Sequence, residues 1–376
     1  MKTKIAIISI IITFFAFGCI HKKHESLSLT DLDFNDAHLV EFETIFNVEN
    51  TKIIPLETTE ESLISNNYFM NLYDKDLFIF DYLRGQVLRF NTDGDFLNSI
   101  GKKGKGPAEL LNPTDFYIDS LNKTIEILCE PGSTIKKFTF QGDFISKISF
   151  KFPSHSFIKD SLGFYYFYRG VNSGYSNARL TYANTTTVIN EFLLDPGNAP
   201  VGLVLDQKCF VKNEGTVILK ELLLNQILYL SKGQLIDGIR INFDENDVPI
   251  DYYRDFSNMM DFFQHLNDKG FYTIKNYDIH GSHAFIKLQY QKAEEELKSL
   301  FLSINLLTNS MQYVSGKLYR DLFNSMEFHS LLPEEKFLFS INSHNFQLLK
   351  PFIPMSAFES VNLREDDNPI LIVFEH

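Results

Sequence analysis

Arg89-Phe-Asn-Thr-Asp-Gly94-Asp-Phe-Leu-Asn-Ser-Ile100 and Lys137-Phe-Thr-Phe-Gln-Gly142-Asp-Phe-Ile-Ser-Lys-Ile148 share one pattern. Each has Phe four residues before a Gly, Asp-Phe directly after it, and Ile six residues after it. An apolar run, a polar turn and a returning apolar run describe a β-hairpin, with Gly supplying the positive φ that the turn needs. The two glycines stand 48 residues apart. Tyr229-Leu-Ser-Lys-Gly233-Gln-Leu-Ile-Asp-Gly-Ile239 restates the pattern 91 residues after Gly142, close to two periods. Ile304-Asn-Leu-Leu-Thr-Asn309-Ser-Met-Gln-Tyr-Val314 is a further copy, with Asn at the turn because Asn tolerates the left-handed region.

A period in the forties, made of strands and hairpins, marks propeller blades. Each blade is a four-stranded antiparallel sheet with neighbours on both faces, so its strands can be apolar on both sides. Leu77-Phe-Ile-Phe80 and Phe164-Tyr-Tyr-Phe-Tyr168 read that way. The expected fold is all-β: one six-bladed β-propeller over 51–376. Gly94, Gly142, Gly233 and Asn309 mark blades one, two, four and five. Blade three (about 154–200) is a degenerate copy, and blade six is assembled from about 326 to the end. The 76-residue gap between Gly233 and Asn309 holds an insertion at 251–270, where Tyr252, Phe256, Met259, Met260 and Phe263 recur at helical spacing. A seventh blade is required only if that insertion hides one. Lys52-Ile-Ile-Pro-Leu-Glu57 and Pro369-Ile-Leu-Ile-Val-Phe374 are short, apolar and otherwise unpaired, so placing both in the last blade closes the ring and removes exposed edges. Residues 351–368 form a charged, Pro-containing connector.

The N-terminus reads as an export signal over residues 1–18. Lys2 and Lys4 precede the apolar run Ile5 to Phe17, and Gly18-Cys19 follows. Thirteen helical residues reach only about 20 Å, short of the roughly 30 Å of a hydrocarbon core, which suits a signal peptide better than a spanning helix. Gly18-Cys19 resembles the lipobox of bacterial lipoproteins, with Ala16 where Leu is usual and a bulky Phe17. That resemblance implies diacylation and cleavage at Cys19. Residues 19–50, rich in polar and charged groups at the start, are expected to be a tether. The segment Ile20-His21-Lys22-Lys23 lacks the acidic run that directs some lipoproteins to the cell surface, so the periplasmic face of the outer membrane is favoured.

A wider resemblance joins three motifs. Ile53-Ile-Pro-Leu-Glu-Thr58, the segment Ile100-Gly-Lys-Lys-Gly-Lys-Gly-Pro-Ala-Glu109 with Pro113, and Asp366-Asp-Asn-Pro-Ile-Leu371 resemble the six-bladed β-propeller lipoproteins of Gram-negative bacteria, related to NHL-repeat propellers. Ala108 departs from the Gly usual after Gly-Pro. The resemblance implies architecture and compartment rather than a reaction.

Composition narrows the partners. The chain has 376 residues with 37 Phe, 17 Tyr and no Trp, an aromatic load that favours strands. Its formal charge is −13, and because Lys2 and Lys4 face no acid within residues 1–18, the remainder stands at −15. Such a surface repels phosphate backbones, so nucleic acid is not an expected partner. The expected partners are the membrane, through the lipid on Cys19, and a protein, peptide or glycan ligand; a monomer is expected.

Motifs for chemistry are sparse. Gly101-Lys-Lys-Gly-Lys-Gly106 lacks the GK[ST] and helix start of a phosphate-binding loop and reads as a loop leaving a blade. His280-Gly-Ser-His283 offers two metal ligands with no third. Asp244-Glu-Asn-Asp247 lacks the Gly and distal Glu of a calcium loop, and Glu294-Glu-Glu296 reads as a charged turn. Cys129 and Cys209 have no CxxC or Cys/His spacing, so buried free thiols are expected, with a disulfide as the alternative. No GxSxG elbow and no cofactor motif occur, and paired catalytic carboxylates cannot be chosen among 48 acids without geometry. The expectation is a non-catalytic binding or scaffolding module. The alternative is an NHL-like propeller enzyme, a lyase or hydrolase, with polar groups converging at the axis.

Overall fold

The structure, a computed structural model, describes residues 29–130, 132–170, 178–194, 208–221, 223–248, 256, 258–332, 336–359, 361 and 363–376. The expected signal segment, residues 1–18, and Cys19 lie outside these residues. Six antiparallel sheets form the blades of one ring. Blade one is Tyr68–Tyr73, Asp76–Asp81, Gln86–Asn91 and Phe96–Ile100, from inner to outer strand. Blade two is Asp115–Asp119, Thr124–Cys129, Thr134–Thr139 and Phe144–Ser149; blade three is Ser156–Lys159, Tyr165–Tyr168, Ala178–Ala183 and Val188–Leu194. Blade four is Phe210–Asn213, Thr216–Lys220, Gln226–Ser231 and Gln234–Asn242. Blade five is Phe271–His280, His283–Gln291, Lys298–Asn305 and Ser310–Val314. The first strands of blades two to six touch one another in turn, and that of blade six touches that of blade one.

The repeated hairpin joins the third and fourth strands of a blade. Gly94, Gly142, Gly233 and Asn309 have φ of 93°, 95°, 73° and 59°, as the turn reading requires. A second constraint explains why three are Gly. A Cβ at Gly94 would stand 2.1 Å from the carbonyl oxygen of Pro55, at Gly142 2.9 Å from that of Ser99, and at Gly233 2.3 Å from the Tyr182 ring. Each turn therefore also abuts the preceding blade. Blade three turns instead at Asn184, whose side-chain oxygen accepts the amides of Thr186 and Thr187 at 2.8 and 2.7 Å. That substitution hides the motif without changing the hairpin.

Blade six lacks the hairpin because its fourth strand comes from the other end of the chain. Met326–Leu332, Lys336–Ile341 and Ile370–Glu375 are followed in the sheet by Asn47–Pro55, with Ile372 opposite Ile53 and Ile370 opposite Pro55. The two runs singled out for closure thus pair directly. Asn368 locks them together. Its side-chain oxygen accepts the Ile64 amide at 2.8 Å, its carboxamide nitrogen donates to Glu57 and Ser62 carbonyls at 2.8 and 3.0 Å, and its own amide donates to Thr58 Oγ1 at 2.8 Å.

Alternation along the second strands fills the spaces between blades. Phe78 and Phe80 face blade two, while Leu77 and Ile79 face blade six. Tyr165 and Phe167 pack with Leu128 and Ile135 of blade two, whereas Tyr166 and Tyr168 pack with Leu219 and Leu228 of blade four. The aromatic run 164–168 is inter-blade core.

One expectation needs correction. The tether assigned to 19–50 ends earlier: Thr30–Asp33 pairs in parallel with the outer strand of blade four, and His38–Leu39 with that of blade five. The helix Phe42–Ile45 then seats Phe42 and Phe46, both fully buried, in the core of blades five and six. The folded body therefore begins before residue 51, because those aromatics and the two strand edges have apolar and hydrogen-bonding partners in reach. The insertion does form a helix, Met259–Lys269, capped by the Asn258 side chain accepting the Asp261 amide at 3.0 Å. Phe262 and Leu266 are buried, Phe256, Met259 and Phe263 pack partly buried on the same core, and Met260 is 79% exposed. Tyr252 lies outside the described residues. A further helix, Lys317–Ser325, links blades five and six and buries Leu322 and Phe323.

Asn368→Ala should lower unfolding stability by about 2–4 kcal/mol, since it removes three side-chain hydrogen bonds and strands the buried Ile64 amide. Urea denaturation followed by circular dichroism measures this; a change below about 0.5 kcal/mol contradicts the closing role assigned to it.

Candidate functional site

The inner strands surround a central channel with two halves. The wide half, about 550 Å³, is lined from all six blades, with Tyr73, Tyr117, Lys212 and Leu332 among its residues. The narrow half, about 270 Å³, is lined by Asn66, Tyr68, Lys275, Glu327 and His329. Phe69 and Lys208 line both. The volume of the wide half lies in the range of small-ligand sites.

Two carboxylates enter the wide half from opposite sides of the ring. Asp115 opens the inner strand of blade two; its oxygens accept the amides of Phe116 and Phe157 at 2.8 Å and the Ser156 hydroxyl at 2.5 Å. Asp278, three blades on, accepts the amides of Ile279 and Leu331 at 2.9 and 2.8 Å. Each thus binds the amide of the next residue and one amide from the next blade's inner strand. Between them, just before the inner strand of blade four, lies Lys208. Burial pushes the Asp115 carboxyl up to about 7, against the hydrogen bonds from Ser156 and the two amides. Burial likewise raises Asp278, opposed by the charge of Lys208. Burial lowers Lys208, and the two carboxylates partly offset that. Carboxyl groups with raised pKa can act in proton transfer, but both are fastened to the backbone as inter-blade clamps.

The narrow half owes its lining to two β-bulges. Register shifts between Ile274 and Asn276 and between Phe328 and Ser330 leave Lys275 and His329 without cross-strand partners. Bulges re-aim side chains, and both residues line the channel. His329 Nε2 lies 2.7 Å from Ser340 Oγ, which also bonds Tyr68 Oη at 2.8 Å. A Ser–His pair suggests a nucleophile and its base. Here Ser340 is 1% exposed and lines neither half, while burial, with Lys208 and Lys287 nearby, drives the imidazole down to about 3. The trio is a buried bridge between blades one and six.

The residues singled out from sequence fall elsewhere. Lys102, Lys103 and Lys105 lie in a loop leaving blade one, closed by Leu110 donating to the Lys102 carbonyl at 2.7 Å, with no helix behind it. His280 and His283 are cross-strand partners at a hairpin tip. Asp244–Asn246 is a single 3-10 turn, after which Asp247 pairs with Arg240 at 2.7 Å and accepts Asn225 Nδ2 at 2.8 Å. Glu295 sits in a turn between Lys292 and Lys298, at 3.1 and 2.8 Å. Cys129 and Cys209 are not joined by a disulfide and are buried in different inter-blade clusters. Cys209 lines the wide half, but burial lifts its thiol to about 12, so it stays protonated at neutral pH. Among the described residues no group of three His, Cys, Asp or Glu is placed to hold a metal. Sequence reasoning missed Asp115, Lys208, Lys275, Asp278 and His329. Their one signal is a charged or polar residue inside or beside an apolar inner strand, as in Asp115-Phe-Tyr-Ile-Asp119.

The model of one protein family, described as a domain of unknown function (DUF4934), matches residues 29–375. The chain belongs to that family. Its match begins where the described body begins, at residue 29, and so includes the strands and helix that precede blade one. No curated protein matches the sequence. Among solved structures, a presumed exported protein from Bacteroides fragilis NCTC 9343 superposes with a TM-score of 0.73 at 15% identity, over 93% of this chain and 99% of that one. A member of the DUF4221 family from Bacteroides vulgatus ATCC 8482 gives 0.53 at 12% identity, over 87% and 96%. At these identities the likeness is one of fold. It agrees with the propeller that the sequence resemblance implied.

Asp115 makes a pH prediction. Its folded pKa, about 7, lies above the ordinary carboxyl value, so the folded state keeps a proton that the unfolded state releases. Its contribution to stability is greatest below the unfolded pKa and falls as pH rises through the folded one. From pH 5 to 8 the wild type should lose stability relative to Asp115→Asn, as read from urea midpoints; a constant difference between the two refutes the assignment.

Proposed function

We propose that this chain is an exported binding module, anchored by a lipid on Cys19 at the periplasmic face of the outer membrane, that takes the end of a peptide or glycan into the wide half of its channel. The observation that carries the reading is the 550 Å³ cavity itself, built from rigid strands of all six blades and mixing aromatic walls (Phe69, Tyr117) with charged groups. Rigid strands position such groups better than loops do. The compartment is supported by the N-terminal pattern and by the described likeness to a presumed exported protein. Among the described residues no helix is long and apolar enough to cross a membrane. The alternative, an NHL-like enzyme, would have to use Asp115 or Asp278, whose oxygens already serve the backbone of the next blade.

Asn71 lines the wide half, and Asn71→Trp fills it. Incubated with a fractionated peptide and glycan extract of its own envelope, the wild-type protein should retain a component identifiable by mass spectrometry, and N71W should lose at least nine-tenths of it. Equal retention by the two places the binding surface outside the channel and defeats the reading.

Cys19→Ala should move the exported protein from the membrane fraction to the soluble one. Stable anchoring needs more than one acyl chain, so the shift should be nearly complete on immunoblots of fractionated cells. A membrane-bound C19A protein contradicts lipid anchoring.

A further inference from the structure

Among the described residues, the lysines drawn into the body of the ring divide into two kinds. Lys136 donates to the Glu109 carbonyl at 2.5 Å and pairs with Glu130 at 2.9 Å. Lys220 donates to the Ile274 and Lys275 carbonyls at 3.0 and 3.3 Å, capping the first bulge. Lys287 donates to the Met326 carbonyl at 2.6 Å and pairs with Glu327 at 3.0 Å. Those three satisfy the fold. Lys208 and Lys275 are the other kind. Both are half-buried, both line the narrow half of the channel, and neither ammonium has a hydrogen bond or an ion pair within 4 Å to any described residue.

Charge in the narrow half is therefore unbalanced. Its one carboxylate among the described residues, Glu327, is taken by Lys287 and by the Asn276 carboxamide at 3.4 Å. The carboxylates whose charge acts on Lys208, Asp278 and Asp115, lie in the wide half with their oxygens turned to backbone amides. A chain of net charge −13 has many acids with which to neutralise two lysines. Instead a bulge aims one of them into the cavity, and the other stands at the junction of the halves. An uncompensated, partly desolvated ammonium is costly unless a counter-ion arrives. Burial lowers both groups, and what opposes this is charge at a distance, not contact.

We infer that the narrow half of the channel is an oxyanion site, in which Lys208 and Lys275 together hold the carboxylate or phosphate end of a small ligand whose remainder lies in the wide half. The inference rests on the channel reading and names the chemistry of the end that enters first. Lysine suits this task as a point charge that does not dictate a planar, bidentate partner. An acidic sugar, a peptide C-terminus and a phosphorylated group share the required chemistry.

The test is calorimetric titration of the full chain at low ionic strength with three probes: inorganic phosphate, glucuronate and N-acetyl-dialanine. At least one should bind, and which one does distinguishes phosphate, glycan and peptide sources. Lys208→Met and Lys275→Met should each weaken that binding tenfold or more, Lys208→Arg should retain most of it, and Lys52→Met, on the outer strand of blade six and away from the channel, should leave it unchanged. Both Met variants remove an uncompensated charge, so without ligand they should melt no lower than wild type, while the bound probe should raise the melting temperature of wild type and of neither Met variant. No binding of any probe, or binding that both Met variants preserve, overturns the inference. If the extract component is lost in N71W but kept by both Met variants, the channel reading stands and the oxyanion site does not. If N71W keeps that component, the channel reading fails whatever the lysines do.

Discussion

The ring holds because its last sheet is woven from both ends of the chain. Asn47–Pro55 and Ile370–Glu375 lie more than 300 residues apart in sequence and side by side in space. A propeller left open would present two blade faces and two strand edges to water, and each further inter-blade core would rest on a neighbour free to move. Asn368 concentrates the closure in one side chain, with bonds to Ile64, Glu57 and Ser62. This explains why Ile53–Thr58 and Asp366–Leu371, remote in sequence, occur together: one is the strand and turn that the other fastens.

Closure is reinforced on the outside. Before reaching blade six the N-terminal segment runs along the edges of blades four and five and then drives Phe42 and Phe46 between blades five and six. Phe46 lies 4.9 to 5.7 Å from the rings of Phe301, Phe337, Phe339 and Phe374. Aromatic pairs of this kind contribute about 0.5–1.5 kcal/mol each beyond their burial. A chain with 37 Phe and no Trp uses rings of one size, which pack interchangeably where the blades converge.

The same rigidity holds the groups that line the channel more closely than a loop would. Inter-blade clamps from Asp115 and Asp278 fix the spacing of the inner strands, and the two bulges break the strand alternation at the places where Lys275 and His329 turn inward. Lys220 caps the carbonyls that the first bulge frees. The site's polar groups are thus by-products of how the inner strands are joined, and they converge because the ring is small.

The sequence by itself determined the strand class, the period and the closure. Gly94, Gly142 and Gly233 were legible because a turn needing positive φ, pressed against the preceding blade, admits almost nothing but Gly, and that constraint recurs at a fixed offset. Blade three escaped the pattern because Asn184 reaches the same turn by a side-chain hydrogen bond, and blade six because its fourth strand is not next in the chain. The early residues Thr30–Phe46 read as a tether, since their anchoring depends on edges and cavities supplied by blades four to six. The site was illegible for a related reason. Asp115, Lys208, Lys275, Asp278 and His329 are spread over 215 positions and carry no motif among themselves. Only the ring brings them to one axis, and only the register shifts decide that Lys275 and His329 face the channel, because a bulge is set by pairing between strands and leaves no signature within one of them.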